Sequence, residues 1–210
     1  MAPSVWRPSG LNHLGSVPWG THFCHLYESE MGLYNVVLPF LQAGLVHNEY
    51  CVWVTPQYLE TEKVLRALRH GIRGIDKHME QSQIHIVGWE EWYLRNGRFD
   101  PQEIFREALK RMLEADTQGF EGFRITGDAF WVMGKKEWND FAEYEATITD
   151  MIGDQKIIAL CTYPALAVTA SEISHIARHH QTAFMSRSES VEAIEFREVA
   201  TVPQRYLQRP

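Results

Sequence analysis

Two distant parts of this 210-residue chain bring together histidine and cysteine residues, whose side chains are of the types that bind metal ions. His22, Cys24 and His25 share one short apolar segment, whereas Cys161 and the pair 179–180 come much later. Successive side chains of a strand point to opposite faces, so at most two of the first three converge. The later residues could complete a site suited to zinc or iron. A cysteine in a buried strand more often packs as a small apolar group, and we expect no bound metal.

Carboxylates offer a second kind of chemistry. Asp128 ends an apolar segment, where a general base or metal ligand often lies, although such a residue more often caps a turn. Glu143 and Glu145 form a pair of nearby carboxylates, but their spacing does not single out an acid–base pair. A Ser-His-Asp or Cys-His-Asn pattern cannot be recognised locally. We therefore expect no enzyme; the alternative is a metal-assisted enzyme or metal sensor that uses His22, Cys161 and Asp128.

The turn after the first apolar segment lacks the features of a phosphate-binding loop. Such a loop has the pattern GxxxxGK[ST], in which backbone N–H groups and a lysine meet the phosphate. Residues 27–34 instead read YESEMGLY, with one glycine, no lysine and the carboxylates of Glu28 and Glu30. Because each carboxylate would repel a phosphate, we predict that the chain binds neither ATP nor GTP at physiological concentrations.

The composition is that of an ordinary globular domain. Hydrophobic residues make up 45% and charged residues 22%, which excludes collagen-like, coiled-coil and wholly disordered chains. The net charge of −7 argues against direct binding of nucleic acid, which requires clustered lysine and arginine. The apolar runs are all too short for a membrane-spanning helix. The three cysteines, which form no CxxC pair, predict free thiols in a cytoplasmic protein.

Apolar segments alternate with amphipathic ones along the chain. Strands are predicted at 21–27, 50–55, 83–87, 122–126 and 156–162, and helices at 31–45, 59–68, 101–115, 136–152 and 170–180. This alternation predicts an α/β fold, a three-layer sandwich with a mostly parallel central sheet. We expect a C-terminal hairpin from 182–186 and 191–196, and an irregular aromatic loop at 89–100. Residues 1–18 are expected to form a flexible arm, 19–200 a single domain and 201–210 a frayed tail.

Aromatic residues cluster near the predicted carboxyl ends of the strands. Ligands bind in the crevice outside these ends in open parallel sheets, so we predict a pocket there that is rich in aromatic groups and poor in positive charge. Such a pocket suits a small, largely apolar molecule, although aromatic residues that only cover the sheet would give the same pattern. His22 lies at the start of its strand, where it would orient neighbours by hydrogen bonding or bind a metal. The predicted ligand-binding residues are His22, Tyr27, Glu28, Trp89, Asp128, Trp131, Cys161 and Tyr163.

Several blocks of the sequence resemble the MEDS domains, a family of sensory domains. The blocks are 19–28 (WGTHFCHLYE), 38–45 (LPFLQAGL), 50–55 (YCVWVT), 122–128 (GFRITGD) and 159–164 (ALCTYP), within a match over residues 17 to 197. The family's motif histidine and tyrosine correspond to His22 and Tyr27, and its strand-end Cys-x-Tyr to Cys161 and Tyr163. The resemblance implies a fold like that of KaiC and RecA ATPases without the phosphate loop. It also implies sensing of simple hydrocarbon derivatives.

The resemblance favours a non-catalytic domain that binds a small organic ligand and relays its presence to a transcriptional or kinase partner. In the family, output passes through a fused DNA-binding, kinase or anti-sigma-type domain. This sequence shows no such domain, so we expect a separate signalling partner, a homo-oligomer interface, or a chain that is a fragment. A second alternative is a ligand-free interaction module derived from an ATPase. Neither direct nucleic-acid binding nor membrane association is expected.

Overall fold

The computed structural model describes residues 6–187 and 190–194. The strands are β1 (Trp6–Pro8), β2 (Ser16–Pro18), β3 (Thr21–Tyr27), β4 (Tyr50–Thr55), β5 (Ile84–Gly88), β6 (Leu94–Arg95), β7 (Arg98–Phe99), β8 (Phe123–Asp128), β9 (Ile157–Pro164), β10 (Thr182–Arg187) and β11 (Ser190–Ile194). The α-helices are α1 (Glu30–Val46), α2 (Thr61–Gly71), α3 (Ile75–Glu80), α4 (Trp89–Tyr93), α5 (Pro101–Thr117), α6 (Trp138–Ile152) and α7 (Ala170–His179).

A central sheet of seven strands has the order β11-β10-β3-β9-β8-β4-β5. Strands β10 to β5 in this order are mutually parallel, and β11 pairs antiparallel with β10 at one edge. The strands β3, β4, β8 and β9 are almost wholly buried, as expected for a parallel sheet covered on both faces. The predicted α/β fold with a mostly parallel sheet is confirmed. Residues 195 and 196 of the predicted hairpin lie outside the described residues.

Two apolar cores, one on each face of the sheet, make the fold a three-layer sandwich. One core joins Phe23 and Trp53 of the sheet to α1, α2 and α3. The other joins Val52 and Ala159 of the sheet to α4, α5, α6 and α7. Neighbouring residues of one strand thus belong to different cores, as the alternation of side chains along a strand requires.

Residues 94–99 form a small hairpin, in place of the irregular loop expected from the sequence. β6 and β7 pair antiparallel, and Asn96 and Gly97 between them both have positive φ angles, 52° and 74°. An Asn-Gly pair is a strong sequence signal for a two-residue hairpin turn. The guanidinium of Arg95 donates to the carbonyls of Glu91 and Trp92 and so ties the hairpin to α4.

Residues 6–18 pack against the domain, which differs from the flexible arm expected at 1–18. β1 pairs antiparallel with β2, and Leu11 and Val17 are buried in the core beneath α1. The guanidinium of Arg124 donates to the carbonyls of Pro8 (2.9 Å) and Ser9 (3.2 Å). The expected arm at 1–5 and the expected tail at 201–210 lie outside the described residues.

Arg124 is completely buried beneath α1, and its charge is balanced by Glu49. Its Nε lies 2.5 Å from Glu49 Oε2, and its Nη1 donates to the carbonyl of Phe40 at 2.9 Å. Arg7 provides a second cation for Glu49 at 2.9 Å. A Cβ atom at Gly44 would lie 2.8 Å from Arg124 Cδ, so only glycine allows α1 to approach this side chain. The buried ion pair and the close helix together hold the N-terminal segment in place.

All three cysteines are unpaired, as predicted, with Cys24 and Cys51 buried and Cys161 partly buried. Among the described residues, the helices are all too short or too polar to cross a membrane.

Candidate functional site

Four polar side chains converge beneath α6, and we call them the His22 cluster: His22, Glu145, Cys161 and His180. His22 comes from β3, Cys161 from the adjacent β9, Glu145 from α6, and His180 directly follows α7. His22 Nε2 lies 3.2 Å from Cys161 Sγ and 3.5 Å from Glu145 Oε2. His180 Nε2 lies 3.1 Å from the same oxygen, and Cys161 Sγ lies 3.5 Å from Glu145 Oε1. One atom from each of the four residues falls within 4.8 Å of all the others.

The outer nitrogen of each imidazole is held by a hydrogen bond. His22 Nδ1 lies 3.1 Å from Thr149 Oγ1, and the Thr149 hydroxyl donates to the carbonyl of His179 at 3.0 Å. Since the Thr149 proton is used in this way, its oxygen accepts from His22 Nδ1–H. His180 Nδ1 donates to the carbonyl of Ile176 at 2.7 Å. Both rings therefore turn Nε2 toward the carboxylate of Glu145.

Burial and mutual charge set the protonation of the cluster. Burial and the neighbouring His180 lower the pKa of His22 to about 4, so this ring is neutral at pH 7. Burial lowers the pKa of His180 as well, but Cys24, Cys161 and Glu145 raise it well above its usual value. Burial and the Glu145 charge raise the pKa of the Cys161 thiol to about 12. Glu145 keeps a pKa below its usual range despite burial, because His180 and His22 stabilise its ionised form.

A partly open, apolar cavity of about 50 Å³ adjoins the cluster. It lies between the sheet and helices α5 and α6, and Glu145 and Cys161 belong both to its wall and to the cluster. The remaining wall is mostly apolar and is formed by Trp92, Tyr93, Phe105, Ala108, Ile125, Gly127, Tyr144, Ile148, Ile152, Ile157, Ala159 and Leu160. The cavity is several times larger than the ~10–15 Å³ that one water requires, so it has room for a molecule of a few heavy atoms.

Gly127 shapes one wall of this cavity, and a substitution there should show a clear steric effect. A Cβ atom at Gly127 would lie 2.3 Å from Tyr93 Oη, whereas the next Tyr93 atom, Cζ, would be at 3.4 Å. We expect Gly127→Ala to lower the free energy of unfolding by about 2 kcal/mol through overpacking. Adding Tyr93→Phe should restore most of this loss, because the clashing oxygen is removed. Urea denaturation of the two single variants and the double variant measures the coupling.

Gly88 provides the matched control for this pair of substitutions. A Cβ atom at Gly88 meets no atom within 4 Å, so Gly88→Ala should change the free energy of unfolding by less than about 0.5 kcal/mol. Additive effects of Gly127→Ala and Tyr93→Phe would contradict the predicted contact.

The structure places the predicted ligand-binding residues in three separate regions. His22, Cys161 and Tyr163 lie on the face covered by α6, and the Tyr163 ring packs edge-on against His180 with ring centroids 5.9 Å apart. The hydroxyl of Tyr163 is buried without a hydrogen-bond partner. His22 and Cys161 are thus members of the His22 cluster, and Tyr163 lies beside it. His22 lies at the start of its strand, as predicted.

Tyr27 and Asp128 contact each other on the opposite face of the sheet. The Tyr27 hydroxyl donates to Asp128 Oδ2 at 2.9 Å, and Tyr58 donates to Tyr27 at 3.2 Å. Glu28 lies beside Tyr27 at the rim of a shallow depression. Asp128 therefore does not join His22 and Cys161 in one site, because its strand turns it to the other face.

Trp89 and Trp131 form the third region. Their rings stack with centroids 5.7 Å apart, and they line a groove of about 540 Å³ with Phe99 and Lys135. The residues of the single predicted aromatic pocket therefore lie in three places: the depression, the groove, and the surroundings of the cavity beside the His22 cluster. They are Tyr27, Trp89, Trp131, Cys161 and Tyr163.

Glu145 and Thr149 are the site residues that the sequence analysis does not assign. A signal for Glu145 exists: the buried face of α6 carries Phe141, Glu145, Ile148 and Ile152 at helical spacing. A carboxylate within an apolar stripe needs a buried partner, so this pattern indicates that Glu145 belongs to a buried polar site. Thr149 has no comparable signal, since its role depends on the position of His179 in space.

Comparison with known proteins identifies the family and supports the fold. A family model described as the methanogen/methylotroph, DcmR sensory domain (MEDS) matches residues 21–181. The transcriptional repressor DcmR of Methylorubrum extorquens is 20% identical over 171 residues, and the match covers 80% of this chain but only 61% of the repressor.

Two solved structures share the fold at low sequence identity. The flagellar accessory protein FlaH of Methanocaldococcus jannaschii has a TM-score of 0.56 and 14% identity, over 84% of this chain and 77% of FlaH. A KaiC-like protein of Pyrococcus horikoshii has a TM-score of 0.62 and 14% identity, over 93% of this chain and 90% of that one. These likenesses confirm the predicted KaiC- and RecA-like fold. Since the family model matches well over half of the chain, this protein belongs to the MEDS family of sensory domains.

Proposed function

We propose that this domain is a non-catalytic sensor that binds a small, largely apolar organic molecule in the cavity beside the His22 cluster. Its membership of a sensory family and its similarity to a transcriptional repressor support a sensory and regulatory role. The observation that carries the ligand class is the cavity of about 50 Å³ with a mostly apolar wall. A cavity of this size and lining favours a hydrocarbon derivative with few heavy atoms.

The cluster side of the cavity supplies directed contacts. Cys161 is partly exposed and lines the cavity, and the Glu145 carboxylate lies beside it at 3.5 Å from the sulfur. A ligand with one polar atom would meet these groups while its carbon atoms contact isoleucine and aromatic side chains. Such an arrangement provides orientation from a few polar groups within an apolar pocket.

The contacts of α6 support a mechanism by which ligand binding changes the surface that a partner recognises. Glu145 of α6 borders the cavity, and Thr149, one helical turn later, hydrogen-bonds both His22 and the carbonyl of His179 at the end of α7. A ligand that displaces α6 would therefore also displace α7. A separate signalling protein, a kinase or a transcriptional regulator, would bind the surface that changes.

The N-terminus of α1 fits the proposal that no nucleotide is bound. Ser29 Oγ accepts the hydrogen bond from Gly32 N at 3.1 Å, so the helix is capped by its own side chain. Glu30 in the first turn pairs with Lys63 at 2.7 Å. A phosphate would have to displace the cap and approach the Glu30 carboxylate.

Binding of simple apolar probes tests the proposal. Xenon and one- to three-carbon haloalkanes are added to ¹⁵N-labelled protein, and amide shifts are expected around Ile148 and Ala159. Ala108→Leu, which fills the cavity from α5, should weaken binding at least tenfold. Ala167→Leu adds the same atoms at an exposed position and should leave binding unchanged. Failure of all probes to bind, or equal binding by the Ala108→Leu variant, would reject the cavity and favour a ligand-free interaction module.

A further inference from the structure

The His22 cluster has the geometry of a metal site, and we infer that it binds one divalent transition-metal ion of the zinc, iron or cobalt class. The ligands would be Nε2 of His22, a carboxylate oxygen of Glu145, Sγ of Cys161 and Nε2 of His180. This inference does not depend on the proposed organic ligand. It also replaces Asp128, which lies on the other face of the sheet, with Glu145 as the carboxylate of a metal site.

Three of the six distances between the four ligand atoms are close to the edges of a tetrahedron around such an ion. Zinc bonds of 2.0–2.3 Å imply separations of about 3.3–3.8 Å between ligand atoms. The observed separations are 3.2 Å from His22 to Cys161, 3.5 Å from His22 to Glu145 and 3.1 Å from His180 to Glu145. All four ligand atoms lie within 4.8 Å of one another, so a small inward movement of the donors would surround an ion.

The second hydrogen bond of each histidine favours metal binding. Metal-ligating histidines almost always donate their other ring N–H to a carbonyl, a carboxylate or a similar acceptor, which fixes the ring and its tautomer. His180 Nδ1 donates to the Ile176 carbonyl at 2.7 Å, and His22 Nδ1 donates to Thr149 Oγ1 at 3.1 Å. Each ring thus directs Nε2 to the centre of the cluster.

Two buried atoms in the cluster lack a hydrogen bond of acceptable geometry. They are His180 Nε2 and Glu145 Oε2, which lie only 3.1 Å apart. Both side chains are at least nine-tenths buried, and an unsatisfied charged atom in such a place is costly. A cation between them would satisfy both atoms at once. Without a metal, a proton on His180 supplies that positive charge.

The ligand set selects the class of ion. Imidazole and thiolate ligands suit zinc, iron and cobalt, whereas magnesium and calcium require oxygen ligands. One thiolate and one carboxylate neutralise a divalent ion, so the buried centre would carry no net charge. Binding releases two protons, one from the Cys161 thiol and one from His180 Nε2, because the thiolate and the neutral imidazole are the metal-binding forms.

Loading of the full chain with Zn²⁺ or Co²⁺ alone tests the inference. After treatment with a chelator and addition of the ion, we expect one ion per chain by elemental mass spectrometry. The Co²⁺ form should show the visible bands of tetrahedral cobalt and a thiolate-to-cobalt charge-transfer band. Cys161→Ser should remove that charge-transfer band. The matched control Cys51→Ser alters a buried cysteine in the other core and should keep it.

Further variants and a wild-type measurement keep the test independent of folding defects. Glu145→Gln should weaken Co²⁺ binding at least tenfold, and Thr149→Val about tenfold, since loss of a supporting hydrogen bond typically costs 10- to 100-fold in affinity. X-ray absorption of the zinc-loaded wild-type protein should show one sulfur at about 2.3 Å and nitrogen or oxygen ligands at about 2.0–2.1 Å. Substoichiometric binding by the wild type, or zinc without a sulfur ligand, would overturn the inference.

Discussion

Replacing Arg124 with methionine should lower the free energy of unfolding by about 3–5 kcal/mol, which is the cost of breaking a buried ion pair by removing one partner. The side chain is completely buried, so water cannot replace it. Its loss leaves the Glu49 carboxylate with Arg7 as the remaining cation. It also leaves the carbonyls of Pro8 and Phe40 without the donor they share.

Two further variants test the source of this loss: a control at an exposed ion pair, and a double variant that removes the unpaired buried carboxylate. Arg69→Met removes an exposed pair with Asp76 and should cost less than about 1 kcal/mol. The double variant Arg124→Met with Glu49→Leu removes both buried charges and should recover much of the loss. Urea denaturation followed by circular dichroism measures all three. A cost below about 1 kcal/mol for Arg124→Met would contradict the role assigned to the ion pair.

The wild-type protein should lose about 2.5 kcal/mol of stability relative to Asp128→Asn as the pH rises from 4 to 7. Burial raises the pKa of Asp128 from 3.8 to about 6 in the folded protein, although hydrogen bonds from Phe130, Thr162 and Tyr27 act in the opposite direction. Between these two values the folded chain retains a proton that the unfolded chain has released. Stability therefore falls with rising pH over that window and is constant above it, and each pKa unit corresponds to about 1.4 kcal/mol.

Urea denaturation at intervals from pH 3.5 to 7.5 measures this difference. Because the amide side chain of the Asp128→Asn variant does not titrate, subtraction of the variant's profile removes the contributions of the other groups. Tyr27→Phe removes one hydrogen bond to the ionised form and should move the falling part of the curve to higher pH. A difference between wild type and Asp128→Asn that stays constant with pH would refute the prediction.

The parallel sheet and its two helical layers follow from the alternation of apolar and amphipathic segments along the sequence. Strands β3 and β4 begin and end at the predicted residues, because continuous apolar runs with a nearby proline or glutamate mark their ends. The order of the strands could not be predicted in this way, since periodicity says nothing about which strands are neighbours. The packing of residues 6–18 could not be predicted either. It depends on Arg124, which is an isolated charged residue within an apolar strand.

The candidate site was partly accessible from the sequence. His22 and Cys161 were recognised by residue type, and their pairing required only that β3 and β9 be neighbours. Glu145 required attention to the buried face of a helix. The strand-end rule assigned Asp128 and Trp131 to the same site, but alternation along β8 and the stacking of Trp131 on Tyr93 place them elsewhere.

The central position of β3 has a consequence for synthesis of the protein. Its sheet neighbours are β9 and β10, so the partners of His22 are made late: Cys161 follows it by 139 residues and Gln181 by 159 residues. At ~5–20 residues per second, roughly ten to thirty seconds pass before a ribosome has made these partners. During that interval the nascent chain carries an apolar strand with both edges unpaired, a template for aggregation. Chaperone binding to residues 21–27 on the ribosome is therefore expected to govern the yield of folded protein, and the His22 cluster would be among the last features to assemble.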